Sequence, residues 1–210
     1  MVIDVDVISD VICPWCFIGK RRLEKALATQ GGPVTVRWHA FQLNPTMPKD
    51  GVSRREYRIR KFGSWERSME LDANIVAVGK DEGIDFAFDR MERTANTLDA
   101  HRLISLADRE GVQNAVVEGL FLAYFTEGRD ISNRHMLIDV VAEAGLDRQR
   151  AEVMLNSDEG MAAIDKAGEL SRRHRVDRVP FFIVNGQIPL SGAQEPDVFL
   201  DAFTQAGGSN

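Results

Sequence analysis

Cysteine is scarce in this 210-residue chain, which has two. With only Cys13 and Cys16 available, a framework of stapled loops is excluded, and neither a second cysteine pair nor a Cys–His pair at suitable spacing completes a zinc knuckle. No apolar run approaches the length that spans a bilayer, and the opening Met1-Val2-Ile3-Asp4 has no basic n-region, so a cytoplasmic location and no membrane partner are expected. A phosphate-binding glycine loop, a dinucleotide fingerprint and a serine nucleophile elbow are all missing. The net charge of −6 argues against nucleic acid as a partner. Two locally basic runs, 54–61 and 172–178, read as solvated helix faces. What remains is one sizeable hydrophobic core, at 44% apolar residues, and one dithiol.

The dithiol is well placed for chemistry. Cys13-Pro14-Trp15-Cys16 follows the alternating run Val2-Ile3-Asp4-Val5-Asp6-Val7-Ile8, at the turn from a strand into a helix. A helix N-terminus carries unpaired N–H groups and a partial positive charge, so a sulfur held there is favoured as thiolate. Two intervening residues bring both sulfurs within one helical turn, with Cys13 the expected exposed nucleophile and Cys16 the inner, resolving thiol. Pro14 suits the first helical position. A structural disulfide is the competing reading, but so short a loop restrains the unfolded chain little, and a reducing compartment keeps such thiols free. Because there is no third cysteine, regeneration must come from glutathione or a partner thiol.

Helical spacing of Phe17, Ile18, Leu23, Ala26 and Leu27 predicts a helix to about Ala28, stopped by Gly31-Gly32-Pro33. A second strand, 34–41, completes a β-α-β unit with a right-handed crossover and parallel strands. Helical patterns then run for more than a hundred residues: 54–69 with a break at Gly63-Ser64, 96–110 capped by Asn96 or Thr97, 115–126, a segment capped by Ser132, and two more capped by Asp147 and Ser157. Strand character returns at Phe181-Phe182-Ile183-Val184. Asn185-Gly186 signals a hairpin into Gln187-Ile188-Pro189-Leu190, and a helix from about Glu195 to Gln205 closes the chain. The order predicts an α/β protein with a thioredoxin fold: residues 1–48 form its N-terminal β-α-β half, 49–175 a large all-helical insertion, and 176–210 its β-β-α half. Val179-Pro180 sits just before the third strand, where a proline needs a reason; an X-Pro bond there is either trans or cis.

Several segments, in this order, resemble the DsbA family of thiol-disulfide oxidoreductases, and within it the FrnE-like branch related to 2-hydroxychromene-2-carboxylate isomerases and kappa-class glutathione transferases. They are residues 9–20 around the dithiol, Phe41-Gln42-Leu43-Asn44-Pro45, Asn96-Thr97-Leu98-Asp99-Ala100-His101-Arg102, Val179-Pro180-Phe181-Phe182 and Ser191-Gly192-Ala193-Gln194. The resemblance implies a cis peptide before Pro180 and a Val179 backbone that pairs with an extended thiol substrate beside Cys13, Pro14 and Trp15. It also implies no tightly bound cofactor and no metal, with glutathione as a co-substrate in some relatives, its γ-glutamyl end held by the loop equivalent to Ser191 and Gln194. Asn96 and His101 resemble positions facing the active-site cleft. Each has a plain reading beside the functional one: Ser191 as a helix cap, His101 as a hydrogen-bonded boundary residue, Asp10 as a loop carboxylate rather than a proton carrier. Arg178 departs from the small residue expected there and either neighbours the dithiol or is solvated.

The isomerases and transferases of this group carry serine where Cys13 stands, so dithiol exchange with a protein or small-molecule thiol is expected to be the activity. The rivals are a glutathione-dependent isomerase or transferase acting on an aromatic or polyketide-like compound, and a non-enzymatic binding protein. Substrate, direction of exchange and oligomeric state are not legible from residues alone.

Overall fold

In a computed structural model, which describes residues 2–208, strand β1 (Ile3–Ser9) alternates buried Ile3, Val5 and Val7 with half-exposed Asp4 and Asp6. It runs into helix α1 (Pro14–Gln30) and returns as β2 (Val34–Ala40), parallel to β1 in register from Ile3 beside Val34 to Ser9 beside Ala40. β5 (Phe181–Val184) joins the other side of β1 antiparallel, and β6 (Ile188–Ser191) follows it across the Asn185-Gly186 turn, where both residues have positive φ. The four-stranded sheet has the order β2-β1-β5-β6. The last helix, α9 (Pro196–Gly208), packs against α1, β1 and β5, with the Phe199 ring edge-on to Phe182 at 4.8 Å.

Each rim of this sheet is interrupted at one position. On the outer side of β2, Gln113 offers its amide to the Trp38 backbone, accepting from the N–H at 2.9 Å and donating to the carbonyl at 3.0 Å, as a neighbouring strand would. At the opposite rim β6 carries Pro189, which has no N–H to offer.

Between β2 and β5 the chain is mainly helical: α2 (Arg54–Phe62), α3 (Trp65–Asp81), α4 (Leu98–Arg109), α5 (Gln113–Phe125), α6 (Arg134–Glu143), α7 (Arg148–Leu155) and α8 (Met161–Arg173). This is the thioredoxin fold with a helical insertion. The break at Gly63-Ser64 is where expected: Gly63 sits at φ 93°, and Ser64 caps α3 by accepting the Arg67 N–H. Four details differ from the sequence reading. α3 runs to Asp81 rather than ending near Met69, and a two-residue ribbon of β3 (Val52–Ser53) with β4 (Arg93–Thr94) is too short to leave a pattern. Asn133, not Ser132, caps α6, accepting from His135 and Met136. Ser157 caps no helix, since α8 starts after Gly160 in a left-handed turn, whereas Asp147 does cap α7. No described helix is long and apolar enough to cross a membrane.

One aromatic stack joins the two halves of the molecule. Phe17 of α1 lies parallel to Phe121 of α5 at 5.0 Å, and Phe125 and Phe86 close around it.

Candidate active site

Cys13 is the N-cap of α1, with Pro14 in the first turn. No side chain caps this helix end and no acidic residue stands in its first turn, so the positive end of the helix is left to the sulfur. The Cys13 N–H donates to the Asp10 carbonyl at 3.0 Å, and its own carbonyl accepts from Cys16 at 3.0 Å, which fixes both cysteines on one turn. Both are free thiols. Cys16 is fully buried; burial first, then the neighbouring Cys13, pushes its thiol well above the ordinary range. Cys13 is more covered than the sequence reading expects, at 6% exposure, because the loop before β5 lies on it. The Val179–Pro180 peptide is cis, and the Cys13 thiol donates to the Val179 carbonyl at 3.6 Å. Gly19 makes this approach possible: a Cβ there would meet Pro180 Cγ at 2.9 Å.

A cleft of about 370 Å³ opens over Cys13, Pro14 and Trp15, with α2 and α3 as its far wall. Its floor is apolar or aromatic, from Ile12, Ile75, Phe88 and Tyr124 among others. Arg54, Arg58 and Lys61, spaced to fall on one face of α2, line it, and no carboxylate does. Asp72 behind them accepts from Arg54 at 2.7 Å and from Arg58 at 2.5 Å, and Lys61 donates to the Tyr57 hydroxyl at 3.1 Å. One carboxylate thus serves two guanidiniums, which leaves positive charge facing the dithiol. Within the run 54–61, Arg54, Arg58 and Lys61 therefore form a site wall, while Arg55 and Arg60 keep the solvated face expected of the run. Its signal was the spacing 54, 58 and 61, which shows a face but not what that face meets.

Other expected residues are not brought to this cleft. The Arg178 side chain is 71% exposed and paired with Asp177, so it is the solvated arginine. Asn96 donates to the Met47 carbonyl at 2.7 Å and accepts from the Leu98 N–H at 2.9 Å; it ties a loop and starts α4, and its amide is spent on those bonds. His101 is buried and its Nε2 lies 3.3 Å from Asp10 Oδ1, beneath the dithiol instead of facing the cleft. Ser191 is level with Phe181, and Gln194 donates back to the Ser191 carbonyl at 2.6 Å; the loop they bound is held by the Gly192 N–H on the Pro180 carbonyl, outside the cleft lining. Among the described residues no cluster of three or more His, Cys, Asp or Glu is placed to hold a metal ion.

Residues 4–204 match the family model described as the DSBA-like thioredoxin domain. A probable DsbA oxidoreductase from Streptomyces coelicolor superposes with a TM-score of 0.90 at 30% identity, over 99% of this chain and 91% of that one. A 2-hydroxychromene-2-carboxylate isomerase matches at TM-score 0.72 and 18% identity, over 98% and 95% of the two chains. The cytosolic disulfide reductase DsbM from Pseudomonas aeruginosa, solved with glutathione, matches at 0.68 and 21%, over 96% and 99%. The last two likenesses speak for the fold alone.

Proposed function

For a chain that belongs to the DSBA-like thioredoxin domain family, we propose thiol-disulfide exchange through Cys13 and Cys16. The observation that carries this reading is the outer sulfur at an uncapped helix N-terminus, facing the Val179 carbonyl across a cis peptide, with a second buried sulfur one turn behind it. In the reducing direction the Cys13 thiolate attacks a substrate disulfide, forming a mixed disulfide and releasing one substrate thiolate. A substrate N–H takes over the Val179 carbonyl as Cys13 ionises. Cys16 then attacks the Cys13 sulfur, the second substrate thiolate leaves, and the substrate disulfide has gained two electrons from the dithiol. Oxidation of a substrate dithiol is the same path reversed, and the potential of the surroundings sets the direction. Regeneration falls to glutathione or a partner protein thiol, a role supported by the glutathione complex of the DsbM relative. That relative's cytosolic origin also supports a cytoplasmic setting. The cationic cleft wall favours substrates bearing carboxylates.

Insulin reduction and exchange with oxidised glutathione test the scheme. Cys13→Ser is expected to lose turnover entirely, and Cys16→Ala to accumulate a mixed disulfide visible by intact mass; undiminished turnover in Cys13→Ser overturns the assignment. A second reading, a glutathione-dependent isomerase acting on an anionic aromatic compound, is favoured by the size and aromatic lining of the cleft. It predicts activity that survives Cys16→Ala.

A further inference from the structure

The second basic run, 172–178, has no part in the scheme above. On a chain of net charge −6, Arg172, Arg173 and Arg175 make no side-chain ion pair among the described residues, unlike Arg178. Arg172 and Arg173 stand in the last turn of α8, where cations offset the negative end of a helix. Arg175 needs a further reason. It follows the cap His174 in the left-handed region, at φ 53°, as the Val176 N–H reaches back to the Ser171 carbonyl at 2.9 Å and the Arg175 N–H to that of Arg172 at 3.1 Å. Glycine is usual at this position of a helix end, and an arginine is strained there. The other non-glycine with positive φ among the described residues is Asn185, a residue type that tolerates it.

Arg172 and Arg175 line an open pocket of about 570 Å³ between α8 and the loop after β2, and no carboxylate lines it. A Cβ at Gly168 would lie 3.4 Å from Arg172 Nη1, so this guanidinium lies back along α8 over the glycine. Phe41, Pro45, Ile164 and Val176 give the pocket apolar walls. Ser171 lines it as well; the residue is 8% exposed, and its buried hydroxyl has no hydrogen-bond partner. A serine inside a helix ordinarily returns its hydroxyl to the carbonyl four residues back or turns it to solvent. Here a buried donor is left without an acceptor beside two unpaired cations, and an anion supplies what all three lack.

This pocket shares a wall with the dithiol cleft. In the loop 40–45, Ala40, Phe41 and Pro45 line the pocket while Leu43 and Asn44 line the cleft over Cys13. The loop is tied to the turn before Cys13 by the Phe41 N–H on the Ser9 carbonyl at 3.0 Å and the Leu43 N–H on Asp10 Oδ2 at 2.8 Å. On the other side, Val176 begins the stretch that leads to Val179, whose carbonyl faces Cys13. We propose that the pocket is an exosite for an acidic segment, with an apolar side chain among its carboxylates, of the same polypeptide whose disulfide is exchanged at Cys13. Arg172 and Arg175 take the carboxylates, the Ser171 hydroxyl donates to one of them, and the apolar side chain packs on Phe41 and Ile164. The proposal rests on the dithiol reading. A free small anion gains little from two exposed guanidiniums in water, whereas a segment tethered through its own cysteine to Cys13 meets them at high effective concentration.

The test peptide carries one cysteine as its mixed disulfide with 5-thio-2-nitrobenzoate, a Gly-Ser spacer of about ten residues, which reaches about 33 Å when extended, and the segment Glu-Leu-Glu-Phe-Glu; its control has lysine for each glutamate. With reduced full-length protein in excess, attack by Cys13 on the peptide sulfur releases the coloured thiolate, and the half-saturating protein concentration is read apart from the limiting rate. The acidic peptide is expected to half-saturate at about tenfold lower concentration than the control, and Arg172→Gln with Arg175→Gln to remove most of that gap. Arg175→Gly separates capture from folding: relieved of the strained backbone, it should raise the thermal midpoint while weakening capture of the acidic peptide about threefold, two directions that a merely structural role does not combine. In Cys16→Ala, which keeps the peptide joined to Cys13, amide shifts should differ between the two peptides at 40–45 and 171–176. Differences confined to 54–61 put the charge preference in the dithiol cleft and overturn the proposal, as does a gap that survives the paired arginine substitutions. Release without any preference for the acidic peptide sinks the exosite alone. Absence of release in the wild type, or undiminished release in Cys13→Ser, sinks the dithiol reading itself, and the exosite falls with it.

Discussion

Residue 19 shows how much of the site depends on a missing side chain. Pro180 rests on α1 because nothing projects from Gly19, and the same contact brings the Val179 carbonyl to Cys13. Gly19→Val would drive the loop off the helix: the overpacking is expected to cost about 1–3 kcal/mol in denaturant unfolding, and exchange activity should fall by more than the lost folded fraction explains. Gly19→Ser, smaller but still crowding, should fall between. The chemistry-bearing residues legible in the sequence were those whose signal is local. Cys13 and Cys16 announce themselves by spacing and by the strand before them. His101 was legible as a residue but not in its place, since its partner Asp10 lies 91 positions away. Arg178 turned outward because Asp177 beside it supplies a carboxylate in water, a choice that no pattern around Val179-Pro180 encodes.

At the scale of elements, the four strands of the main sheet and α4 to α7 were readable because each buries an apolar stripe. α3 was read only as far as Met69, and its burial explains why: the face it turns inward is Ser68, Asp72, Ile75 and Gly79, while Met69 and Val76 are exposed. A helix packed through small and polar residues leaves little hydrophobic period to detect. Asp72 is inside because Arg54 and Arg58 need it, so the feature that hid α3 is the one that builds the cleft wall. The packing between α1 and α5 is the complementary case. Phe121, wholly buried against Phe17, Phe125 and Trp38, is the contact through which the insertion grips the dithiol helix. Phe121→Ala is expected to cost about 3–5 kcal/mol of unfolding free energy. Amide exchange should accelerate in α1 and α5 more than in α9, and uniform acceleration would show that the stack is not the specific joint.

Across the whole molecule, α1 is clamped by carboxylates. Glu118 of α5 takes Lys20, which is buried, at 2.7 Å and also Arg21; Glu82, at the end of α3, takes Arg22 and Lys25, each at 2.6 Å. Burial alone would raise both carboxyls, but the hydrogen bonds from these cations outweigh it and hold each below the usual range. Asp6 is held low mainly by its hydrogen bond from His39. A carboxyl whose folded pKa is depressed contributes stability that is present above its unfolded value, about 4, and is lost as pH falls through the folded one. Thermal midpoints should therefore be level above about pH 5 and drop below about pH 4. Glu118→Gln should lower the neutral plateau and flatten the acid drop; an unchanged acid limb would show that these clamps do not set it.

The two interrupted margins of the β-sheet, Gln113 standing in for a strand at one and Pro189 withholding a donor at the other, also bear on how a polypeptide can lie against the molecule. An extended chain laid alongside meets an interrupted row of partners at either margin, and copies of the protein meet the same interruption to lateral stacking. Under the proposed exchange activity, a peptide substrate would reach the sulfur through the mouth of the cleft, beside the cationic wall of α2.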